Sequence, residues 1–494
     1  MKRKIAGVTA AVLLCVNIAA CSSQSGDKSD TTSSSGTVTS AETTTAMNAD
    51  NLPELDFGGQ TFTILSRDYS DGIIFGMEMG VEEENAEIVN DAIYRRNKSV
   101  ENRLNVNINV IKMAGNFESG GNYIDTVKKS VASGENTYNL VGGYAYHFPP
   151  LAAAGNFANW RNMPYIDLDA PYWSADLADA MTLDGKLYVM TGDLSLSTLW
   201  NMSCVYFNKK LAYDLQITED FYQLVLDGKW TWDKIAEISR GVYKDLNGDG
   251  VRDEGDLYGT VFTPGGTQIE SAFVSIDQPV TARDSDGYPY LVMNSPKTIK
   301  FTEIIMEFTF ENPGVFVNPR GYEEDIMASF IADRALFVPF RLTATDLLRT
   351  MDSDYGILPT PKFDEAQEKY LTMSHDWYSL LCVPATNTDF EFVSAVIEAL
   401  ASESYRTVTP TYFESALKVK YSRDEASSQM LDIIRDGMKF DFAFVNSSSM
   451  NNIMHIFRNL VSLKRKDFAS IYEKSEKVYQ TSLDKLIEAY KSLD

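Results

Sequence analysis

Between Thr61 and Val110 two alternating segments flank one stretch of helical periodicity, and that order constrains the fold more than any other feature of the chain. Phe62 and Ile64 alternate with Thr61 and Thr63, and Val106, Ile108 and Val110 alternate with Asn105, Asn107 and Asn109, the period-two pattern of half-buried strands. Between them Ile93, Asn97, Val100 and Leu104 recur at helical spacing behind Asn90, which the pattern predicts as the N-cap. Strand, helix, strand implies a parallel pair with a right-handed crossover, hence an α/β body. Ile124, Val127 and Val131 predict a second helix closed near Gly134, and Tyr138 to Tyr146 a return as strand and loop. Thr388 and Glu391 read as a capping box ahead of a helix carrying Val393, Val396, Ile397 and Leu400 on one face. Ile471, Val478, Tyr479, Leu486 and Tyr490 mark a last helix. No repeat of about 20 to 50 residues is present, which argues against a solenoid.

The N-terminus sets the compartment. Lys2, Arg3 and Lys4 precede an apolar run from Ala6 to Ala20 that is too short to span a bilayer and reads as a secretory signal over residues 1–20. Ile18-Ala19-Ala20-Cys21 resembles a bacterial lipobox, with Cys21 as the acylated residue, so a palmitate-type anchor on the extracytoplasmic face of the cell membrane is expected. From Ser22 to Thr45, fifteen of twenty-four residues are Ser or Thr. This stretch, within a tether of residues 21–50, reaches on the order of 30 Å as a flexible coil. Cys204 and Cys382 are the only cysteines beyond it; they permit one disulfide, and their spacing does not say whether they meet.

With 44 Lys plus Arg against 69 Asp plus Glu, the net charge is −25, which argues against nucleic acid or an anionic membrane surface as the main partner. There is no Gly-x-Ser-x-Gly, no His-Glu-x-x-His and no phosphate-binding loop, and His147, His375 and His455 are the only histidines. No catalytic residue and no cofactor for catalysis is therefore assigned, although paired carboxylates of a glycosidase type carry no sequence signature. One acidic segment has metal-ligand spacing: Asp245, Asn247, Asp249, the Val251 carbonyl, Asp253 and Asp256, with Gly250 at the sharp turn. It resembles a dockerin-type calcium loop, with Asp256 in place of the usual bidentate glutamate. A structural Ca2+ is the expected occupant, and an Asx-turn loop without metal the other reading.

Several phrases in order along the body resemble the extracellular solute-binding proteins, family 1 type, the sugar-binding lipoproteins of ABC importers. They are Asn90-Asp91-Ala92-Ile93-Tyr94-Arg95-Arg96-Asn97, Gly185-Lys186-Leu187-Tyr188, Val205-Tyr206-Phe207-Asn208-Lys209-Lys210, Lys229-Trp230-Thr231-Trp232-Asp233, Asp333-Arg334-Ala335-Leu336, Tyr355-Gly356-Ile357-Leu358-Pro359-Thr360-Pro361 and Glu403-Ser404-Tyr405-Arg406-Thr407-Val408-Thr409-Pro410. The resemblance implies a two-lobed, periplasmic-binding-protein-like α/β fold of type II with an interlobe ligand cleft. Chain crossings are expected near Cys204 to Tyr206, Asp354 to Gly356 and Ser404 to Thr407. Lobe 1 then holds 51–204 and 356–404, and lobe 2 holds 206–354 and 406–494. Hinge closure around ligand is the expected motion.

Sugar rings need aromatic faces and planar polar partners, so clusters with both are candidate ligand residues. Tyr144, Tyr146 and His147 follow a strand, where α/β sheets present binding loops; burial in the core is the alternative for the tyrosines, a surface position for His147. Trp200 and Asn201 precede the first expected crossing, and Asp376, Trp377 and Tyr378 precede the apolar strand from Ser379, with packing under the hinge as the alternative for Trp377. Arg341 offers a planar fork, or else an exposed salt bridge. Trp230 and Trp232 read as structural, with Thr231 or Asp233 as a cap. The expected function is capture of a carbohydrate, an oligosaccharide above all, by a monomer that delivers it to ABC transporter permease subunits, without turnover. A peptide or another polar solute is the alternative cargo, and a surface glycoside hydrolase or an adhesive module the alternative class.

Overall fold

A computed structural model describes residues 50–69, 73–348, 351–413 and 425–493. The chain divides into units 1–46 and 47–494, and every described residue belongs to the second. The expected signal, Cys21 and the tether up to residue 49 lie outside the described residues. No helix among those described is long and apolar enough to cross a membrane.

The strands are β1 (Gln60–Asp68), β2 (Val106–Ala114), β3 (Leu140–Tyr144), β4 (Ser203–Asn208), β5 (Tyr258–Phe262), β6 (Thr281–Arg283), β7 (Pro289–Leu291), β8 (Val315–Val317), β9 (Ala335–Arg341), β10 (Tyr355–Leu358) and β11 (Ser379–Cys382). They form a four-stranded sheet in the order β11-β3-β1-β2, a five-stranded sheet in the order β10-β4-β9-β5-β8, and a β6-β7 hairpin.

The predicted strand, helix, strand unit is the start of the first sheet. β1 pairs parallel with β2 from Gln60 opposite Val106 to Asp68 opposite Ala114, and the helix Ile88–Leu104 makes the return that a parallel pair requires. Its buried face includes Ile93, Asn97, Val100 and Leu104, as the spacing demands. The N-cap is Glu87, not Asn90. The Glu87 carboxylate accepts from the amides of Val89 and Asn90, which suits the positive end of the helix, and Asn90 instead donates its side-chain amide to the Glu83 carbonyl. The second helix, Gly120–Ser133, ends at Gly134 with φ of 73°, left-handed geometry that glycine adopts at no steric cost. At the later helix Phe390–Glu403, Asp389 is the cap and accepts from the Phe392 amide; Thr388 is not. Thr231 caps Trp232–Arg240 through its hydroxyl, and Trp230 and Trp232 are buried on either side of it.

The passages between the sheets differ from expectation. Cys204 to Tyr206 lie inside β4, and Tyr355 and Gly356 inside β10, both in the five-stranded sheet. β4 already pairs with β9 from Ser203 onward, so the crossing must come earlier. Segments 201–203 and 373–375 run antiparallel there: Ser203 N–H donates to the Met373 carbonyl at 2.8 Å and His375 N–H to the Asn201 carbonyl at 3.0 Å. The third passage begins at Ser404, whose hydroxyl accepts from Arg96, and by Tyr412 and Phe413 the chain shares a core with Tyr206 and Tyr355. The last helix, Phe468–Lys491, packs on both sides: the Tyr490 ring lies 5.7 Å from Tyr188, and Lys491 sits 4.3 Å over Tyr288. It is therefore not confined to one lobe. Tyr479, Leu486 and Tyr490 are buried as predicted, while Val478 faces solvent at 48% exposure. Cys204 and Cys382 are buried and unbonded in different sheets; burial pushes both thiols up, which leaves them unreactive.

Candidate functional site

β1 and β3 are parallel, so their C-terminal ends open along one edge, and in α/β sheets that edge carries the binding loops. Arg67 and Asp68 end β1, Tyr144 ends β3, and β11 enters antiparallel with Ser379 opposite Tyr144. From the other sheet β9 ends at Arg341, opposite Ser203. The two paired passages tie these edges together, and the side chains beside them form one cluster. Close approach at this edge requires Gly143, where an added Cβ would stand 1.8 Å from the Phe148 ring.

Tyr144 donates its hydroxyl to Asp376 Oδ1 at 3.3 Å. Its ring lies 6.0 Å from Tyr146 and 5.0 Å, edge to face, from His147. Tyr146 donates to Asn452 Oδ1 at 2.9 Å. Arg341 sits 4.8 Å over the Trp377 ring and donates to Glu323 at 2.5 Å and to His375 Nδ1 at 3.3 Å. The same His375 Nδ1 lies 3.4 Å from Asp376 Oδ1. Burial, with Arg341 and Arg458 nearby, holds His375 well below the usual histidine range, so the ring is neutral. Burial raises the Asp376 carboxyl, against the pull of Arg458, the Tyr144 hydroxyl, Arg341 and Arg67. Trp377 stands edge-on to Tyr69 at 6.2 Å.

The expected ligand residues therefore gather in one place, at different depths. Tyr146, His147, Asp376 and Trp377 are partly exposed, Tyr144 and Arg341 nearly buried. Trp200, Asn201 and Tyr378 are buried: Trp200 packs edge-on to Phe75 at 5.3 Å, Asn201 donates to the Ser197 carbonyl, and Tyr378 meets Phe440 at 5.7 Å. Arg341 is not an exposed salt bridge; its Nε is buried without an acceptor among the described residues.

Sequence reasoning missed Arg67, Tyr69, Glu78, Glu270 and Arg458. Arg67 lies at the end of β1 and Tyr69 just beyond it, so both follow from the same strand-end rule that picked Tyr144; the others are gathered only by packing. Arg67 is buried, donates to Ser379 Oγ at 3.0 Å and to the Trp377 carbonyl, and lies 3.9 Å over the Phe75 ring. Glu78 accepts from the Ser379 hydroxyl and from the Ser197 amide. A cavity of about 20 Å3 separates Tyr146 and Asp376 from Glu270, His455 and Arg458. Arg458 holds Glu270 bidentately at 2.6 and 2.8 Å; burial nonetheless pushes Glu270 up to about 7, and burial with Arg458 pushes His455 down to about 4. Aromatic faces and committed planar hydrogen-bonding groups side by side suit a polar solute with apolar faces.

In the acidic loop, Asp245 accepts from the amides of Gly248 and Gly250, Asn247 from Asp249, Asp249 from Val251 and Asp253 from Gly255. Asp256 is buried and accepts from the Leu246 amide. The oxygens are right in kind for Ca2+, but among the described residues no three acidic, His or Cys groups are gathered at metal-holding distance.

No family model and no curated protein matches the sequence. Among solved structures, the chain is similar to an ABC substrate-binding protein from Listeria monocytogenes in complex with cycloalternan, at 12% identity and TM-score 0.52, over 88% of this chain and 99% of that one. It is also similar to a maltose/maltodextrin-binding domain from Bdellovibrio bacteriovorus bound to maltotriose, at 14% identity and TM-score 0.52, over 87% and 100%. A third is the maltose-maltodextrin binding protein of Alicyclobacillus acidocaldarius, at 11% identity and TM-score 0.52, over 85% and 100%. These likenesses show the fold: a two-lobed, periplasmic-binding-protein-like α/β body.

Proposed function

We propose that this chain, built on the two-lobed fold of substrate-binding proteins, captures an oligosaccharide between its lobes and hands it to an ABC permease. The observation that carries this reading is the cluster at the joined sheet edges, where Trp377, Tyr144 and Tyr146 stand beside Arg341, Asp376 and His147. Aromatic faces take the apolar sides of a sugar ring, and fixed planar groups take its hydroxyls. The cycloalternan and maltotriose held by proteins of the same fold support the choice of cargo. In this reading the protein performs no chemistry on its ligand. It acts as a monomer on the extracytoplasmic face, anchored through Cys21.

The test is a thermal-shift series on the full chain with maltodextrins, other oligosaccharides and short peptides, followed by product analysis. Stabilisation by one oligosaccharide class, about 2.7 kcal/mol at a hundredfold excess over Kd, with the sugar recovered intact, is the expected result. Stabilisation by peptides alone would replace the cargo, and sugar consumption would replace the function.

The 245–256 loop is proposed to take a structural Ca2+ through Asp245, Asn247, Asp249, the Val251 carbonyl, Asp253 and Asp256. Millimolar Ca2+ is expected to raise the melting temperature, and chelator to reverse it; an unchanged melting curve removes the metal from the account.

A further inference from the structure

The loop between β2 and the helix Gly120–Ser133 holds a large apolar ring in water: Phe117 is 61% exposed. The loop around it is tightly made. Asn116 N–H donates to the Ser119 hydroxyl at 3.1 Å, and Ser119 N–H donates back to Asn116 Oδ1 at 2.8 Å. Gly115 lets the loop close over the end of β1, since an added Cβ would stand 2.8 Å from both Arg67 Cβ and the Tyr123 ring. Gly120 leaves room for His147, whose Nε2 would lie 2.5 Å from a Cβ there. The imidazole so seated stacks on Phe117, with 6.1 Å between centroids and 23° between planes.

A single exposed apolar side chain is ordinary on a protein surface. This one differs in being continuous with the rings of the cleft. Phe117 lies 5.8 Å from Tyr146, and Tyr146 lies 6.0 Å from Tyr144, with His147 at 5.4 Å and 5.0 Å from the two tyrosines. The row starts at nearly buried Tyr144, passes partly exposed Tyr146 and ends at Phe117 in solvent. It offers faces and few hydrogen bonds. The Tyr144 hydroxyl is spent on Asp376 and the Tyr146 hydroxyl on Asn452, and Phe117 carries none. A sugar unit at the outer end of this row is therefore held by stacking, which takes the apolar side of the ring.

We propose that Phe117 forms an outer subsite of the cleft, which takes one further ring of a bound oligosaccharide, so that affinity rises when the chain is long enough to reach it. The proposal rests on the reading of the cleft as an oligosaccharide site.

Isothermal titration of the full chain and of Phe117→Ala with maltose, maltotriose, maltotetraose and maltohexaose tests it. The parent should bind the longer members more tightly. Phe117→Ala should lose about five- to tenfold for those members and keep the parental affinity for maltose. The melting temperature without ligand should not change, because the ring is exposed. Phe117→Tyr keeps a flat face and should bind as the parent does; Phe117→Leu, apolar but not flat, should not. Parental affinity of Phe117→Ala for every member overturns the proposal and leaves the reading of the cleft standing. So does an equal loss at every length, which a general support of His147 would produce. A parent that binds none of the four overturns the premise and the proposal with it.

Discussion

Trp377→Ala is expected to weaken oligosaccharide binding by about 30- to 100-fold while leaving the fold intact. The ring is partly exposed between Tyr69 and His375, and its face lies under the Arg341 guanidinium. A tryptophan at the centre of a site loses on the order of 2 to 3 kcal/mol of binding on truncation, and about 1.4 kcal/mol is a factor of ten. Removing this ring also takes away the face under the Arg341 guanidinium, which Glu323 and His375 still hold in place. Trp377→Phe keeps a face and should recover most of the affinity, whereas a change to leucine should not. Calorimetric titration with the oligosaccharide that stabilises the parent most is the measurement. An alanine variant of parental affinity would place the ligand elsewhere.

The second large effect is on stability. Arg67→Leu should destabilise the fold by on the order of 3 kcal/mol, because it removes one of the two buried guanidiniums, with Arg96, whose charge offsets that of the buried Glu78. The loss should depend on pH in a stated direction. Burial already raises the Glu78 carboxyl, and Arg67 is the main group that opposes this; without the guanidinium it rises further. A carboxyl whose folded pKa lies above its unfolded value favours the folded state below the unfolded pKa and loses that advantage as pH rises through the folded value. The variant should therefore lie nearest the parent in mild acid and fall progressively behind as the medium becomes neutral. Paired denaturant titrations across that range measure it, and a deficit independent of pH would mean that Glu78 is not the group responsible. Arg67→Leu with Glu78→Leu should recover part of the loss, since both charges then leave the interior together.

Much of the architecture was readable because it is local. Ile108 and Val110 on β2 repeat the period of Phe62 and Ile64 on β1, and the helix between them follows from Ile93, Val100 and Leu104. Caps were less legible. Glu87 and Asp389 each lie within three residues of the predicted caps, and the choice among neighbouring polar residues depends on where the chain enters the helix. The cluster at Tyr144, Asp376, Trp377 and Arg341 could be nominated from residue chemistry and strand-end position, but its depth could not. Arg341 looked equally able to be a surface ion pair; the structure buries it with Glu323 and His375 because β9 ends under the passage at 373–375.

Residue order alone carries the class of fold, the succession of strands and helices along the chain, and the stretches whose side chains suit a polar ligand, since each of these is written in spacing over a few residues. Packing in three dimensions settles where the chain passes between the sheets, which of the nominated side chains are buried and which face outward, and that Arg67 and Glu78 belong to the same cluster as Ser379. Those outcomes rest on pairings between distant segments: Arg67 and Ser379 are 312 residues apart in the chain, Glu78 and Ser379 301. Such partners are selected by burial and hydrogen-bond satisfaction, which the linear order of the chain does not encode.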